Sequence, residues 1–271
     1  IANIKKDLTL LVPAAGIVKT PFNFKSCTKD PSFLNMGHSL AIEEIRKKYD
    51  CKLLLSVHKK SKNFFKLMPF NGIEILEVGL TKSIAETLYK SLENVKSKWC
   101  LINPITTLPD TNFVDTPFIE FGSKLIPKEE WSSLIFNKDN DPFFINKSAK
   151  KYLGILSHPF TGRILAETED LISVINNLEE SKKNDCINIA ISLFKAAKVD
   201  IKFSKNWLDI GHEATYPLLK KSTITSRFFN SIITDERNNS ITKKSSNKQK
   251  IDNEISFYKN IPNKIKRYFP E

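Results

Sequence analysis

The apolar run Leu8-Thr-Leu-Leu-Val-Pro-Ala-Ala-Gly16 most constrains what this chain can fold into. It shows no helical period, so it reads as a buried strand that opens, through small residues, into a loop. Helices and strands then alternate. Residues 40–48 carry Leu40, Ala41 and Ile45 at helical spacing, and Lys52–Val57 is a second buried strand. Residues 73–78 form a third strand. Ile84, Leu88, Leu92 and Val95 recur at helical intervals, and Trp99–Ile102 is a fourth strand. This order predicts an α/β fold, a mostly parallel central sheet flanked by helices. Ligands bind such sheets at the carboxyl ends of the strands, here the loops after Pro13 and Ile102.

Residues 116–168 are rich in Phe, Pro and short apolar runs, which reads as added strands and loops. Helices are expected near 170–178 and 185–197, and a strand near 199–203. The segment 222–249 is polar, turn-like and basic, and marks a boundary. The expected organisation is one domain over 1–230 and a basic C-terminal extension over 231–271, with a short helix at 251–257.

Composition excludes several classes. Hydrophobic residues make up 41% and aromatics 10%, too much for a disordered chain. No apolar run approaches the roughly 18–20 residues of a membrane span, and the lysine-bearing start at Ile1–Asp7 is not a secretory signal. Cys27, Cys51, Cys100 and Cys186 are far apart, which argues against a zinc ribbon or a disulfide framework and for a cytoplasmic protein. Of the net charge of +12, seven units fall between Lys220 and Glu271. A lysine- and asparagine-rich solvated surface accounts for that excess, and no motif supports nucleic acid as a partner.

Two segments could carry chemistry. In Leu11-Val-Pro-Ala-Ala-Gly-Ile-Val-Lys-Thr20, small residues let backbone N–H groups approach a base or phosphates, and Lys19 adds a cation. In Trp207-Leu-Asp-Ile-Gly-His212, Asp209 is a strand-end carboxylate of the kind that holds Mg²⁺ with substrate phosphates. The plainer reading is a tight turn and a capping aspartate. His212 could contact a phosphate. Arg163, in His158-Pro-Phe-Thr-Gly-Arg163, offers a loop cation for an acceptor phosphate. Asp139 and Asp141 have the composition of a turn, and Trp131 reads as core.

Together, in this order and separation, the two segments resemble the nucleotidyltransferase family of the Rossmann-like GT-A fold. Residues 206–230, with Tyr216 and Ser226-Arg-Phe-Phe-Asn, resemble the members found in bacterial capsule and lipopolysaccharide gene clusters. The resemblance implies that Ala14, Ala15 and Gly16 line the base and phosphates. It implies Lys19 in place of a family arginine and Asp209 as the Mg²⁺ ligand and catalytic carboxylate. The chemistry implied is attack of a sugar or small alcohol phosphate on the α-phosphorus of a nucleoside triphosphate, CTP or UTP favoured, with release of pyrophosphate. Val18 stands where the family has its second glycine. Thr106 stands where the family has a second metal aspartate, and would face the nucleotide, with Asp110 and Asp115 further along. The alternative is a catalytically degenerate module that binds a nucleotide or sugar nucleotide, or scaffolds a kinase domain. A glycosyltransferase is disfavoured because Asp139-Asn-Asp141 lies in a turn. The stretch 241–258 resembles the opening of a choline-kinase-like phosphotransferase. That resemblance implies a Lys244–Glu254 pair and a fused or partner phosphotransferase domain.

Overall fold

In a computed structural model, the structure describes residues 4–15, 36–49, 51–59, 62, 65–66, 72–108, 115–128, 131–183, 185–205, 207–209, 230–235, 240–245 and 247–262. Contacts divide the chain into two compact units, Ile1–Thr215 and Tyr216–Glu271.

The first unit opens with β1 (Leu8–Ala14), α1 (Met36–Lys48), β2 (Lys52–Val57), β3 (Ile73–Glu77), α2 (Ile84–Ser91) and β4 (Trp99–Ile102). It continues through β5 (Thr107–Leu108), β6 (Phe118–Gly122), β7 (Ile126–Pro127), β8 (Ser133–Phe136), β9 (Pro142–Ile145) and β10 (Leu156–Glu167). Helices α3 (Thr168–Asn177) and α4 (Ile187–Lys195) follow, then β11 (Asp200–Ser204) and β12 (Leu208–Asp209). The main sheet runs in the order β11-β6-β10-β4-β1-β2-β3. Strand β1 is parallel to β2 and β4, β2 to β3, and β11 to β6, while β10 is antiparallel to both neighbours. The mostly parallel sheet is therefore present, with β10 as its one reversed strand along that order.

Strand β1 shows why no polar alternation was visible. Leu8, Leu10 and Val12 pack with Ile42 and Ile45 of α1, whereas Leu11 packs with Leu88 of α2, Leu171 of α3 and Leu193 of α4. Both faces are covered, so successive residues are apolar. Even buried Thr9 is satisfied, accepting a 2.8 Å hydrogen bond from Ser97 Oγ. Helix α2 starts where Ser83 Oγ accepts from the Glu86 N–H at 3.1 Å, the bond of a helix N-cap.

The chain leaves β1 for β2 on one side, then crosses after β3 to β4 on the other. The carboxyl ends of β1 and β4 thus flank a topological switch point. The loop after β4 is stitched there, with Asn103 N donating to Leu11 O at 3.0 Å and Ile105 N to Pro13 O at 3.4 Å. Opposite it, the pairing of β10 with β6 slips between Phe160 and Ile164. Gly162 sits in that irregularity at φ +79°, and a Cβ there would come 2.5 Å from Pro104 Cγ.

Arg163 corrects an expectation. It is not a loop cation but a residue of β10, 1% exposed, with its Nη1 2.5 Å from Glu120 Oε2 on β6. Its Nη2 donates to the Tyr49 hydroxyl. Burial raises the Tyr49 phenol above its ordinary pKa, and the Arg163 charge opposes that rise.

The second unit contains β13 (Asn230–Asp235) paired antiparallel with β14 (Ser240–Ser245), then α5 (Lys248–Lys259). The polar segment read as a boundary therefore holds a hairpin. Asn247 caps α5 by accepting from the Lys250 N–H at 3.1 Å. Lys243 Nζ lies 2.7 Å from both carboxylate oxygens of Glu254. The partner of Glu254 is thus Lys243 rather than Lys244, because adjacent strand residues face opposite ways. Among the described residues, no helix is long and apolar enough to cross a membrane.

Candidate functional site

A cavity of about 140 Å³ lies at the carboxyl end of β4 in the first unit, walled by Thr106, Thr107, Asp209, Asp185, Lys147 and Trp131 among others. That is smaller than the roughly 300–1,000 Å³ of a whole-ligand pocket.

A long-range strand pairing brings Asp209 there. Strand β12 pairs antiparallel with β5, which sets Asp209 opposite Thr107 and beside Thr106. Asn103 Nδ2 donates to Pro104 O at 2.9 Å and to Thr107 O at 3.0 Å, and Thr107 Oγ1 donates to Thr161 O at 3.0 Å. The other end of β12 is fixed by Trp207, whose indole lies over Gly122. A Cβ on Gly122 would come 1.9 Å from Trp207 Nε1. Gly122→Ala is therefore expected to push the indole away and destabilise the protein by about 1–3 kcal/mol, read as a lowered thermal midpoint. Because Trp207 leads directly into Asp209, the same change should weaken any ligand held by that carboxylate.

Asp209 is 7% exposed and lines the cavity. Ala15, at the end of β1, is buried and Ala14 half-buried. Gly16, Lys19, Asp110 and His212 lie outside the described residues. Asp115 is exposed and stands off the cavity wall. Asp139 and Asp141 lie in the β8–β9 turn, where Asn137 Oδ1 accepts from the N–H groups of both, at 2.9 and 2.7 Å. His158 is held on β10, its Nδ1 2.9 Å from Gly122 O and its ring against Phe203. Trp131, read as core, is buried and also walls the cavity.

Asp185 was not singled out from the sequence, where it only opens the helix expected over 185–197. Its Oδ1 accepts from the Ile187 N–H at 3.2 Å, at the start of α4. Its Oδ2 accepts from Ser132 Oγ at 2.7 Å and from the Lys147 N–H at 3.3 Å. Behind it, the wholly buried Lys128 donates from Nζ to Lys147 O at 3.2 Å. Burial lowers the Lys128 pKa, and the charge of Asp185 works against that fall.

Cys186 also walls the cavity, yet burial pushes its thiol up to about 12, with Asp185 adding to the rise. Cys100 is raised by burial too. Thiolate is the reactive form, so neither is a nucleophile near neutral pH. Both should resist alkylation at pH 8 in the folded protein and react on unfolding, as mass spectrometry of modified peptides would show.

The cavity therefore borders the loop after β4, with the buried Asp209 on its wall. The sequence matches no protein-family model and no curated protein sequence. Solved structures share the fold. A protein described as a glucose-1-phosphate thymidylyltransferase from Bacillus anthracis is 13% identical with a TM-score of 0.61, covering 82% of this chain and 97% of that one. The inositol-1-phosphate CTP transferase of T. maritima is 16% identical with a TM-score of 0.57, covering 81% and 97%. The CTP:phosphocholine cytidylyltransferase of Streptococcus pneumoniae is 14% identical with a TM-score of 0.54, covering 80% and 99%. The fold of this chain is that of the nucleotidyltransferases.

Proposed function

We propose that the chain is a nucleotidyltransferase. A phosphate oxygen of a sugar phosphate or small alcohol phosphate attacks the α-phosphorus of a nucleoside triphosphate, CTP or UTP favoured. The bond to the β-phosphate breaks and pyrophosphate leaves. The observation that carries this reading is the placement of Asp209 against Thr106 and Thr107, in the loop region after β4. The buried carboxylate and the neighbouring hydroxyls fit Mg²⁺, which takes one or two carboxylates and completes its shell with phosphates and water. Asp209 would hold it, and the ion supplies charge neutralisation for the triphosphate. Phosphoryl chemistry of this kind asks the protein for positioning and electrostatics. In this reading Ala14, Ala15 and Gly16 admit the base and phosphates, Lys19 stands over the phosphates, and Thr106 meets the nucleotide. His212 contacts a phosphate, and Lys147 on the cavity wall brings a cation to the acceptor side. Arg163 is assigned no substrate role, because its guanidinium is committed to Glu120 and Tyr49.

The product would be an activated precursor for capsule or surface polysaccharide, made in the cytoplasm by a domain over 1–230. The extension over 231–271 would open a phosphotransferase domain, with Lys243 and Glu254 as its strand–helix ion pair.

The test is pyrophosphate release with Mg²⁺, each of CTP, UTP, dTTP, GTP and ATP, and a panel of sugar and alcohol phosphates. Release with one pair, lost in Asp209→Ala, supports the transferase. A second reading, a degenerate nucleotide-binding module, is favoured by Thr106, whose hydroxyl is a weaker Mg²⁺ ligand than a carboxylate. Nucleotide binding by calorimetry without release across the panel would select it.

A further inference from the structure

The geometry points to Asp185 as the residue that selects the acceptor, by taking a hydroxyl of a polyhydroxylated phosphate such as a sugar or polyol phosphate. This rests on the transferase reading and deepens it. Asp185 walls the same cavity as Asp209 but is held from a different direction, by Ser132, Lys147 and the first turn of α4. Those are three hydrogen bonds on a group with about four lone-pair sites, which leaves room for one more donor.

The chemistry of the wall decides which donor. A neutral hydroxyl adds a hydrogen bond to Asp185 without bringing a further charge into a cavity that Lys147 already lines. The remaining wall agrees: Ser132, Thr107 and Thr161 carry hydroxyls, and Trp131 offers a flat apolar surface. A cage for a quaternary ammonium would instead need several aromatic faces, and the cavity has Trp131 and Phe160 alone among its described aromatic residues. A site built to hydrogen-bond a substrate hydroxyl discriminates against analogues lacking it, because that hydrogen bond is then not made.

The test is calorimetric binding to the full chain with Mg²⁺ and whichever triphosphate binds, using glucose 1-phosphate, glycerol 3-phosphate, phosphocholine and inorganic phosphate. The expected result is a polyhydroxylated phosphate bound at least about 10-fold tighter than phosphocholine or inorganic phosphate. Asp185→Asn should weaken that ligand about 10- to 100-fold, the worth of a hydrogen bond to a charged group, while triphosphate affinity stays within about 2-fold. Phosphocholine bound as tightly, no preference among the four, or an equal loss for all ligands in Asp185→Asn would overturn the assignment. Should Asp185→Asn fold poorly, deoxy analogues of the preferred ligand against the unaltered protein decide the matter. One position should carry a 10- to 100-fold loss, and a loss spread evenly over all positions overturns the proposal. Absence of any triphosphate binding would overturn the transferase reading itself, and this inference with it. Triphosphate binding with an indifferent Asp185 would overturn this inference alone.

Discussion

Asp209→Ala is expected to lower pyrophosphate release roughly 100- to 1,000-fold or more, the scale of losing one preorganised electrostatic group at a reacting phosphate. The effect should be large because little else on the described wall can replace it. Thr106 and Thr107 bring hydroxyls, and the Asp185 carboxylate is already held by Ser132, the Lys147 N–H and the first turn of α4. The loss should fall mainly on kcat if the carboxylate acts on charge that develops during transfer, and on KM if it serves binding alone. The thermal midpoint is the control. Asp209 lies on a two-residue strand at the edge of a cavity, so its truncation leaves the two main core clusters untouched. A variant that keeps its midpoint and full turnover would remove Asp209 from the reaction.

The second large effect concerns stability. Arg163→Met leaves Glu120 buried without its partner guanidinium, and breaking a buried pair in this way costs about 3–5 kcal/mol. At roughly 2–4 °C per kcal/mol for a domain of this size, the midpoint should fall by about 6–20 °C. The double replacement Arg163→Met with Glu120→Met should recover much of the loss, because two packed apolar side chains demand no compensation. The coupling is read from a double-mutant cycle in thermal or denaturant melts. Were Arg163 instead a substrate cation, its replacement would raise KM and leave the melt unchanged. The observed burial predicts the opposite.

The strand and helix elements of the first unit were largely legible because their apolar periods are local. Lys52–Val57 and Trp99–Ile102 have the bounds expected of them. Residues 40–48, 73–78, 170–178 and 185–197 differ from α1, β3, α3 and α4 only near their ends. End effects are hydrogen-bonding details that a periodic pattern does not carry. The expectation of a loop at 158–163 failed, because a Pro and a Gly stand inside a strand there. In the structure they lie within β10, and Gly162 occupies its irregular, positive-φ position. Asp185 was missed for a related reason. Along the chain it only opens an expected helix, and Ser132 and Lys147, 53 and 38 positions away, make it part of a cavity.

By itself, then, the order of residues determined the α/β class and the buried character of β1, and it pointed to the loop after β4, on which the cavity borders. These follow from propensity, burial period and chain topology, all read along the chain. Tertiary structure alone decided that Asp209 faces Thr107, that Arg163 is spent on Glu120, and that Lys243 rather than Lys244 meets Glu254. Each is a contact between residues 11 to 102 positions apart. Its partner is set by strand register and by which face of the sheet a side chain leaves, and a shift of one residue in register would send every one of them to the other side.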